Sequence, residues 1–259
     1  MKPNQQFKAE GSEEIKKLGE HKHLAKLTNS WMNEANQLKY SYHYEWLGRP
    51  IIQYPQDIVA MQELIWEIKP DLIIETGIAH GGSLIFSASM LALLDMCETI
   101  ETGKQLNPDQ CKRKVLGLDI DIRTHNYNAI ESHPMYNWVQ MIEGSSTDPE
   151  IIKQVHDIAK DYHRILVCLD SNHTHDHVLA ELESYAPLVS TGSYCCVFDT
   201  VIEDMPENLS SNRPWGPGDN AKTAVWEYIS KHPEFEIDKS IQDKLLITVA
   251  PDGYLKRVK

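Results

Sequence analysis

The sequence predicts an α/β fold with a mostly parallel sheet, a closing antiparallel hairpin and a helical extension in front. Three observations carry this. Short apolar runs at 72–75, 115–121, 138–143, 165–170 and 194–199 are separated by helical patterns, the alternation that builds a parallel sheet with helices on both faces. The first run turns through glycines into a helix that starts near Ser83: Glu75-Thr76-Gly77-Ile78-Ala79-His80-Gly81-Gly82-Ser83. Near the end, 235–238 and 245–250 read as two strands of a final hairpin, which brings the sheet to seven strands.

The elements follow in order. Residues 12–39 read as one helix, with Leu18, Leu24, Leu27, Trp31 and Leu38 on a single apolar face suited to homo-oligomer formation. An aromatic loop follows, Tyr40-Ser41-Tyr42-His43-Tyr44-Glu45-Trp46-Leu47-Gly48-Arg49-Pro50. A helix from Pro55 or Asp57 to Lys69 ends at Pro70. After the Ser83 helix, 98–114 reads as a polar surface excursion, and 176–185 as the helix behind the fourth strand. The 259 residues divide into a helical extension with its aromatic loop, 1–54, and an α/β domain, 55–259.

Composition narrows the function. A formal charge of −13 argues against nucleic acid or an anionic membrane as the main partner. No run approaching roughly 18 apolar residues is expected, so no membrane span is either. Met1-Lys2-Pro3-Asn4-Gln5-Gln6 lacks the apolar core of a signal peptide. The five cysteines form no C-x-x-C pair, and Cys168, Cys195 and Cys196 lie in apolar runs as small buried residues. A reducing, cytoplasmic setting is expected.

The glycine turn is a cofactor cradle, because glycines let the backbone approach a ligand and the helix start offers free N–H groups. Its spacing is neither the G-x-G-x-x-G of a dinucleotide site nor a P-loop. Glu75 would repel a phosphate but accepts bonds from an ammonium group. Acid, Gly-x-x-x-Gly and a following acidic strand end resemble the S-adenosylmethionine-dependent methyltransferases.

Ligands of such sheets sit at the carboxyl ends of the strands, where Glu75, Asp119, Glu143, Asp170 and Asp199 all fall. Asp119 suits both hydroxyls of a ribose, with Asp121 as its rival. Glu143-Gly144-Ser145-Ser146 suits the edge of an adenine, or is a plain turn. Asp170-Ser171-Asn172-His173-Thr174-His175-Asp176-His177 is one residue short of the H-x-H-x-D-H of β-lactamase-type hydrolases, so a dinuclear zinc site is not expected. His175 and His177 read as surface residues at a helix start. Asp170 and Asp199 are hard oxygen ligands for Mg²⁺, or else helix caps. His173 stands where it can take a proton from an acceptor hydroxyl. Trp215, in the long loop 201–219, joins Tyr42, Tyr44 and Trp46 as rings that stack on an acceptor or cover the core.

At this point the sequence resembles the cephalosporin hydroxylase family, which includes rhamnosyl O-methyltransferases. The resemblance runs from about residue 44 to 258. It is carried by Trp46-Leu47-Gly48-Arg49-Pro50-Ile51-Ile52-Gln53-Tyr54-Pro55-Gln56-Asp57, Glu75 to Ser83, Leu118-Asp119-Ile120-Asp121 and Arg213-Pro214-Trp215-Gly216-Pro217-Gly218. It implies a Rossmann-like methyltransferase fold, S-adenosylmethionine and often Mg²⁺. A more distant similarity to catechol-type O-methyltransferases implies Glu75, Gly77, Ala79, Gly81 and Ser83 for the methionine-side turn. It implies Asp119 for the ribose, Ser145 and Ser146 for the adenine, Asp170 beside both cofactor and metal, and Asp199 with Thr200 for the metal. Thr200 stands where that group has Asn, His173 where it has its catalytic Lys. Phe198 stands where the cephalosporin branch can have an acid. Tyr44, Trp46, Arg49 and Trp215 are assigned to the acceptor.

The expected function is a Mg²⁺-assisted O-methyltransferase acting on a hydroxyl of a sugar or glycosylated metabolite, in polysaccharide or natural-product biosynthesis. The alternatives are a metal-dependent oxygenase or hydrolase using the His173–His177 cluster, and a non-catalytic cofactor-binding subunit.

Overall fold

In the computed structural model of the protein, which describes residues 3–259, two helices open the chain where one is expected: α1 (Pro3–Glu20) and α2 (Lys22–Gln37). The break falls at His21, whose Nδ1 accepts the Leu24 N–H at 3.1 Å and caps the second helix. The aromatic loop folds into a 3₁₀ turn and a small hairpin, β1 (Tyr44–Trp46) and β2 (Arg49–Ile51). Leu47 and Gly48 turn it with φ of 48° and 82°, the two positive values that a two-residue type I′ turn requires. The rings of Trp31, Tyr40, Tyr44 and Tyr54 pack among themselves at centroid distances of 5.1–6.2 Å. This cluster ties α2 and the hairpin to Tyr54, the residue that precedes the next helix.

Helix α3 (Pro55–Ile68) starts with proline at its first position, where no N–H is needed, and stops at Lys69 in the left-handed region. Then come β3 (Leu72–Thr76), α4 (Gly82–Thr102), β4 (Lys114–Asp119), α5 (Thr124–Glu131), β5 (Val139–Glu143), α6 (Pro149–Ala159), β6 (Ile165–Leu169), α7 (His175–Tyr185) and β7 (Tyr194–Val197). The chain ends with α8 (Ala221–Lys231), β8 (Phe235–Ile237), α9 (Lys239–Leu245) and β9 (Tyr254–Arg257).

The seven-stranded sheet has the order β5-β4-β3-β6-β7-β9-β8. Strands β3 to β7 are parallel, while β9 runs antiparallel to both β7 and β8. Strands β3, β6 and β7 are buried along their whole length, so they read as unbroken apolar runs. Strand order reverses between β3 and β6, and their carboxyl ends form the crevice that holds the site.

Two elements depart from expectation, α4 and the closing hairpin. Helix α4, 21 residues long, is apolar and long enough to cross a membrane by length and composition. It is a core helix of the sheet: Leu84, Ile85, Phe86, Ala88, Leu91 and Leu94 are all buried. The helix also runs on to Thr102, so the polar excursion begins only at Gly103, its left-handed cap.

The hairpin is the second departure. Residues 239–245 are helical and 246–250 are not a strand; β9 supplies the partner of β8. Asp238 caps α9, accepting the Ser240 N–H at 3.1 Å. The backbone after α9 is held by buried Asp57, which accepts the Val249 N–H at 3.0 Å, the Tyr254 hydroxyl at 3.0 Å and the Thr248 hydroxyl. An N–H used this way is lost to a strand ladder. Burial pushes the Asp57 carboxyl up to about 6, against the pull of those three donors. Asp57→Ala strands the donors in the core and should cost about 3 kcal/mol of stability, read by urea unfolding.

Candidate functional site

The glycine turn is shaped by a close approach. Gly77 has φ +87°, and a side chain there would run into the carbonyl of Asp170 at the end of β6. Only glycine lets the exit of β3 lie against the exit of β6. Ala79 is also left-handed, at φ 47°. Asp119 fixes this conformation: its Oδ2 accepts the N–H groups of Ile78 and Ala79 at 2.9 and 3.1 Å, and its Oδ1 accepts that of Asp121 at 3.1 Å. Asp119 lines the cleft, whereas Asp121 is exposed and off it. Below the turn, Glu75 is only 3% exposed and accepts the Ser83 hydroxyl at 2.5 Å. Burial pushes its carboxyl up to about 7, partly offset by that hydrogen bond.

The crevice holds two adjoining hollows. One, of about 460 Å³, runs from Gly77, Ser83 and Asp170 past His173 and Asp199 to Trp215, Met205 and Tyr42. The other, of about 350 Å³, is lined by Asp119, Ile120, Ser145, Ser146 and His177. They share Gly77, Ala79, Asp170, Ser171 and Trp215.

Where the hollows meet the rim, the side chains of Asp170, His173 and Asp199 converge, with their donor atoms all within 4.8 Å of one another. His173 Nε2 lies 3.0 Å from Asp199 Oδ2. Asp199 takes a left-handed backbone, φ 56°, which Asp tolerates better than most residues. Burial and then the charge of Asp199 hold the Asp170 carboxyl well above the usual carboxylate range. Burial would raise Asp199 too, but neighbouring His173 outweighs it and the carboxyl is lowered. Burial depresses His173, and Asp199 overcomes that to raise it. Asp199 is thus the ionised partner of His173, while Asp170 is held toward its neutral form; the set of oxygen and nitrogen donors is one that accommodates a divalent cation once Asp170 ionises.

Two elements brace this triad. The Trp215 ring stands edge-on to His173 at 4.8 Å, with the Arg213 guanidinium 5.4 Å from its centroid. Gln53 donates to Asp170 Oδ2 at 3.2 Å. The loop bearing Trp215 is held by Glu203, which accepts the Gly218 N–H at 2.7 Å and the Asn220 amide at 2.6 Å.

The family model described as Rhamnosyl O-methyltransferase/CmcI matches residues 38–258. The chain belongs to that family. It is an S-adenosylmethionine-dependent O-methyltransferase. A relative in Mycobacterium tuberculosis (strain ATCC 25618 / H37Rv), a rhamnosyl O-methyltransferase, is 30% identical over 204 residues, 78% of this chain and 73% of its own. The rhamnosyl O-methyltransferase of Mycobacterium leprae (strain TN) is 28% identical over 214 residues, 82% of each chain. Two solved structures share the fold. "cmcI-D160 Mg-SAM" has a TM-score of 0.54 at 17% identity, covering 84% of this chain and 78% of that one. "CmcI-N160 apo-structure" has 0.52 at 17% identity, covering 84% and 77%.

Several residues expected at the site of this methyltransferase lie elsewhere. Thr200 is fully buried and donates to the Pro251 carbonyl at 2.6 Å, so it faces away from the metal-type triad. Gly81 caps α4 and faces Ile130 rather than the cleft. Trp46 packs edge-on to Phe86 at 4.9 Å and donates to Ser89 at 3.0 Å, while Tyr44 meets Tyr40 edge-on at 5.3 Å. Arg49 donates to the His80 carbonyl and to Asn126 Oδ1, the latter at 3.0 Å. Packing the hairpin on α4 half-buries these aromatics and keeps them off the cleft lining. Trp215 alone of the four expected acceptor residues lines it.

His175 and His177 stand at the start of α7 as expected, but half-buried and hydrogen-bonded rather than free at the surface. His175 meets Thr223 and Glu227 at 2.9 and 3.1 Å, and His177 meets Ser146 and Ser171 at 3.1 Å each. They diverge from His173, so the histidine cluster does not assemble as an oxygenase or hydrolase centre. Gln53, Asn36, Ser41, Tyr54 and His80 line the cleft without being singled out beforehand. Gln53, Tyr54 and His80 lie inside family segments, but no residue pattern points to their side chains.

Proposed function

We propose that this methyltransferase transfers a methyl group to a hydroxyl of a sugar or glycosylated metabolite, assisted by Mg²⁺. The observation that carries the reading is the convergence of Asp170, His173 and Asp199 on a cleft that runs on to Asp119 and Ser146. A sugar acceptor is supported by the relatives, which are named rhamnosyl O-methyltransferases. Polysaccharide or natural-product biosynthesis is the setting we infer.

When bound, S-adenosylmethionine would supply the electrophilic sulfonium methyl, and Mg²⁺, which Asp170 and Asp199 would hold, would lower the pKa of the acceptor hydroxyl. Glu75, Gly77, Ala79 and Ser83 form the methionine end, Asp119 the ribose contact, and Ser145 and Ser146 the adenine end. With the His173 Nε2–H turned to Asp199, the ring's other nitrogen, Nδ1, takes the hydroxyl proton. Asp199 orients that ring and stabilises its charged form. Trp215 fixes the ring from its other side, and with Tyr42, Ile202 and Met205 walls the acceptor.

The extension, 1–54, contributes Asn36, Ser41, Tyr42 and Gln53 to the wall, while 55–259 holds the reacting groups. Five unpaired cysteines support a cytoplasmic setting, and exposed Leu27, Trp31 and Leu38 on and after α2 support a homo-oligomer.

Calorimetric titration with S-adenosylmethionine, with and without Mg²⁺, followed by mass-spectrometric screening of rhamnosides and other glycosides, tests the reading. Methyl transfer to a sugar oxygen supports it. Absence of cofactor binding, or transfer confined to nitrogen acceptors, overturns it.

A pH dependence follows from Glu75. Its raised carboxyl is protonated below about 7, and the protonated form offers nothing to the cofactor's ammonium. Cofactor affinity should therefore fall as pH drops below about 7, approaching tenfold per unit. Glu75→Gln should flatten that slope in a calorimetric pH series.

A further inference from the structure

A buried carboxylate that methyl transfer does not use lies behind the hollow lined by Asp119, Ser145 and Ser146. Glu181, on α7, is fully buried, and its Oε2 has no hydrogen-bond partner. Its Oε1 accepts the Ser171 hydroxyl at 2.7 Å, with His177 Nε2 3.4 Å from the same oxygen. That Nε2 is 3.1 Å from Ser171 Oγ and 3.1 Å from Ser146 Oγ. The Tyr185 hydroxyl pins the Ser146 carbonyl at 2.5 Å.

The protons can be assigned. Ser171 has one hydroxyl hydrogen and gives it to the carboxylate, so toward His177 it is an acceptor. Nε2 therefore carries the ring hydrogen, and every neighbour of that nitrogen is an oxygen able to accept it. Ser146 Oγ receives from the same N–H. Its own hydrogen then points away from His177, toward the hollow that Ser146 lines.

We propose that the chain Glu181–Ser171–His177 makes Ser146 a committed hydrogen-bond donor that reads N1 of the cofactor's purine. This rests on the reading of that hollow as the adenine end. Glu181 and His177 are positioning residues, acting through Ser146. Adenine accepts at N1, whereas hypoxanthine carries a hydrogen there. A committed donor favours adenine; a hydroxyl freed from His177 rotates to accept and serves both.

The experiment compares Kd for S-adenosyl-L-homocysteine and S-inosyl-L-homocysteine in the wild type, Ser146→Ala, His177→Phe and Glu181→Gln. The wild type should prefer the adenosyl compound by about tenfold or more. Each variant should lose at least about threefold of that preference. The preference is internal to each variant, so general loosening that weakens both ligands alike leaves it unmoved. Glu181→Gln keeps the core shape and decides the matter if His177→Phe does not fold.

An unchanged preference in Glu181→Gln, alongside a reduced one in Ser146→Ala, overturns the proposal and leaves the adenine end standing. Identical affinities in Ser146→Ala and wild type overturn it as well, because the base then does not meet Ser146. A wild type that binds neither compound removes the cofactor-end reading and the proposal together.

Discussion

His173→Ala should lower kcat by about 10²–10⁴-fold, the usual contribution of a positioned general base, with the Kd for S-adenosylmethionine almost unchanged. The separation follows from position. His173 stands with Asp170 and Asp199 beside Trp215, away from the Asp119 and Ser146 end of the crevice. Single-turnover methyl transfer at saturating cofactor reads the chemical step directly. His173→Gln keeps a polar group of similar reach but cannot take the proton, and should be as slow as the alanine variant. An unchanged single-turnover rate in either variant would remove His173 from proton transfer. The pH profile adds a sign. The base works only when neutral, and Asp199 raises its pKa against the effect of burial, so the rate should climb toward the alkaline side.

Asp199→Asn should weaken Mg²⁺ binding by about a hundredfold or more and reduce turnover with it. Asp199 serves two groups at once: it is one of the converging carboxylates and the partner of His173 at 3.0 Å. Removing its charge also relieves Asp170, whose carboxyl is held high by burial and by Asp199. Asp170 should then ionise at lower pH in the variant, visible as a downshifted acid limb of metal binding. Calorimetry with Mg²⁺, paired with a melting curve to establish folding, makes the measurement. Chelation of the wild type should reproduce the loss of turnover, with recovery on adding Mg²⁺. Full activity after exhaustive chelation would leave proton transfer to His173 alone.

Much of this was legible because strands buried on both faces write themselves as unbroken apolar runs. Residues 72–76, 165–169 and 194–197 could scarcely be read otherwise. Strand-end acids followed from the same runs, which is why Asp119, Asp170 and Asp199 were found. Aromatic side chains mislead, since Tyr44 and Trp46 read the same in the sequence whether they stack on a ligand or pack edge-on against Tyr40 and Phe86. Only the hairpin turn at Leu47-Gly48 decides which. Thr200 failed for a related reason: adjacency to Asp199 says nothing of direction, and its hydroxyl is spent on the Pro251 carbonyl. The closing hairpin was misjudged because the buried carboxylate that claims the Val249 N–H comes from α3, far away in sequence.

The contact of Gly77 with the Asp170 carbonyl has a thermodynamic corollary. On the proposed assignment, the loop that would cradle the cofactor and the strand end that would carry a cation ligand lie backbone against backbone, with no side chain between them to absorb a shift. Binding at one should then bias the other, and such linkage is symmetric. Whatever factor the cation gains in affinity from a bound cofactor, the cofactor gains from a bound cation.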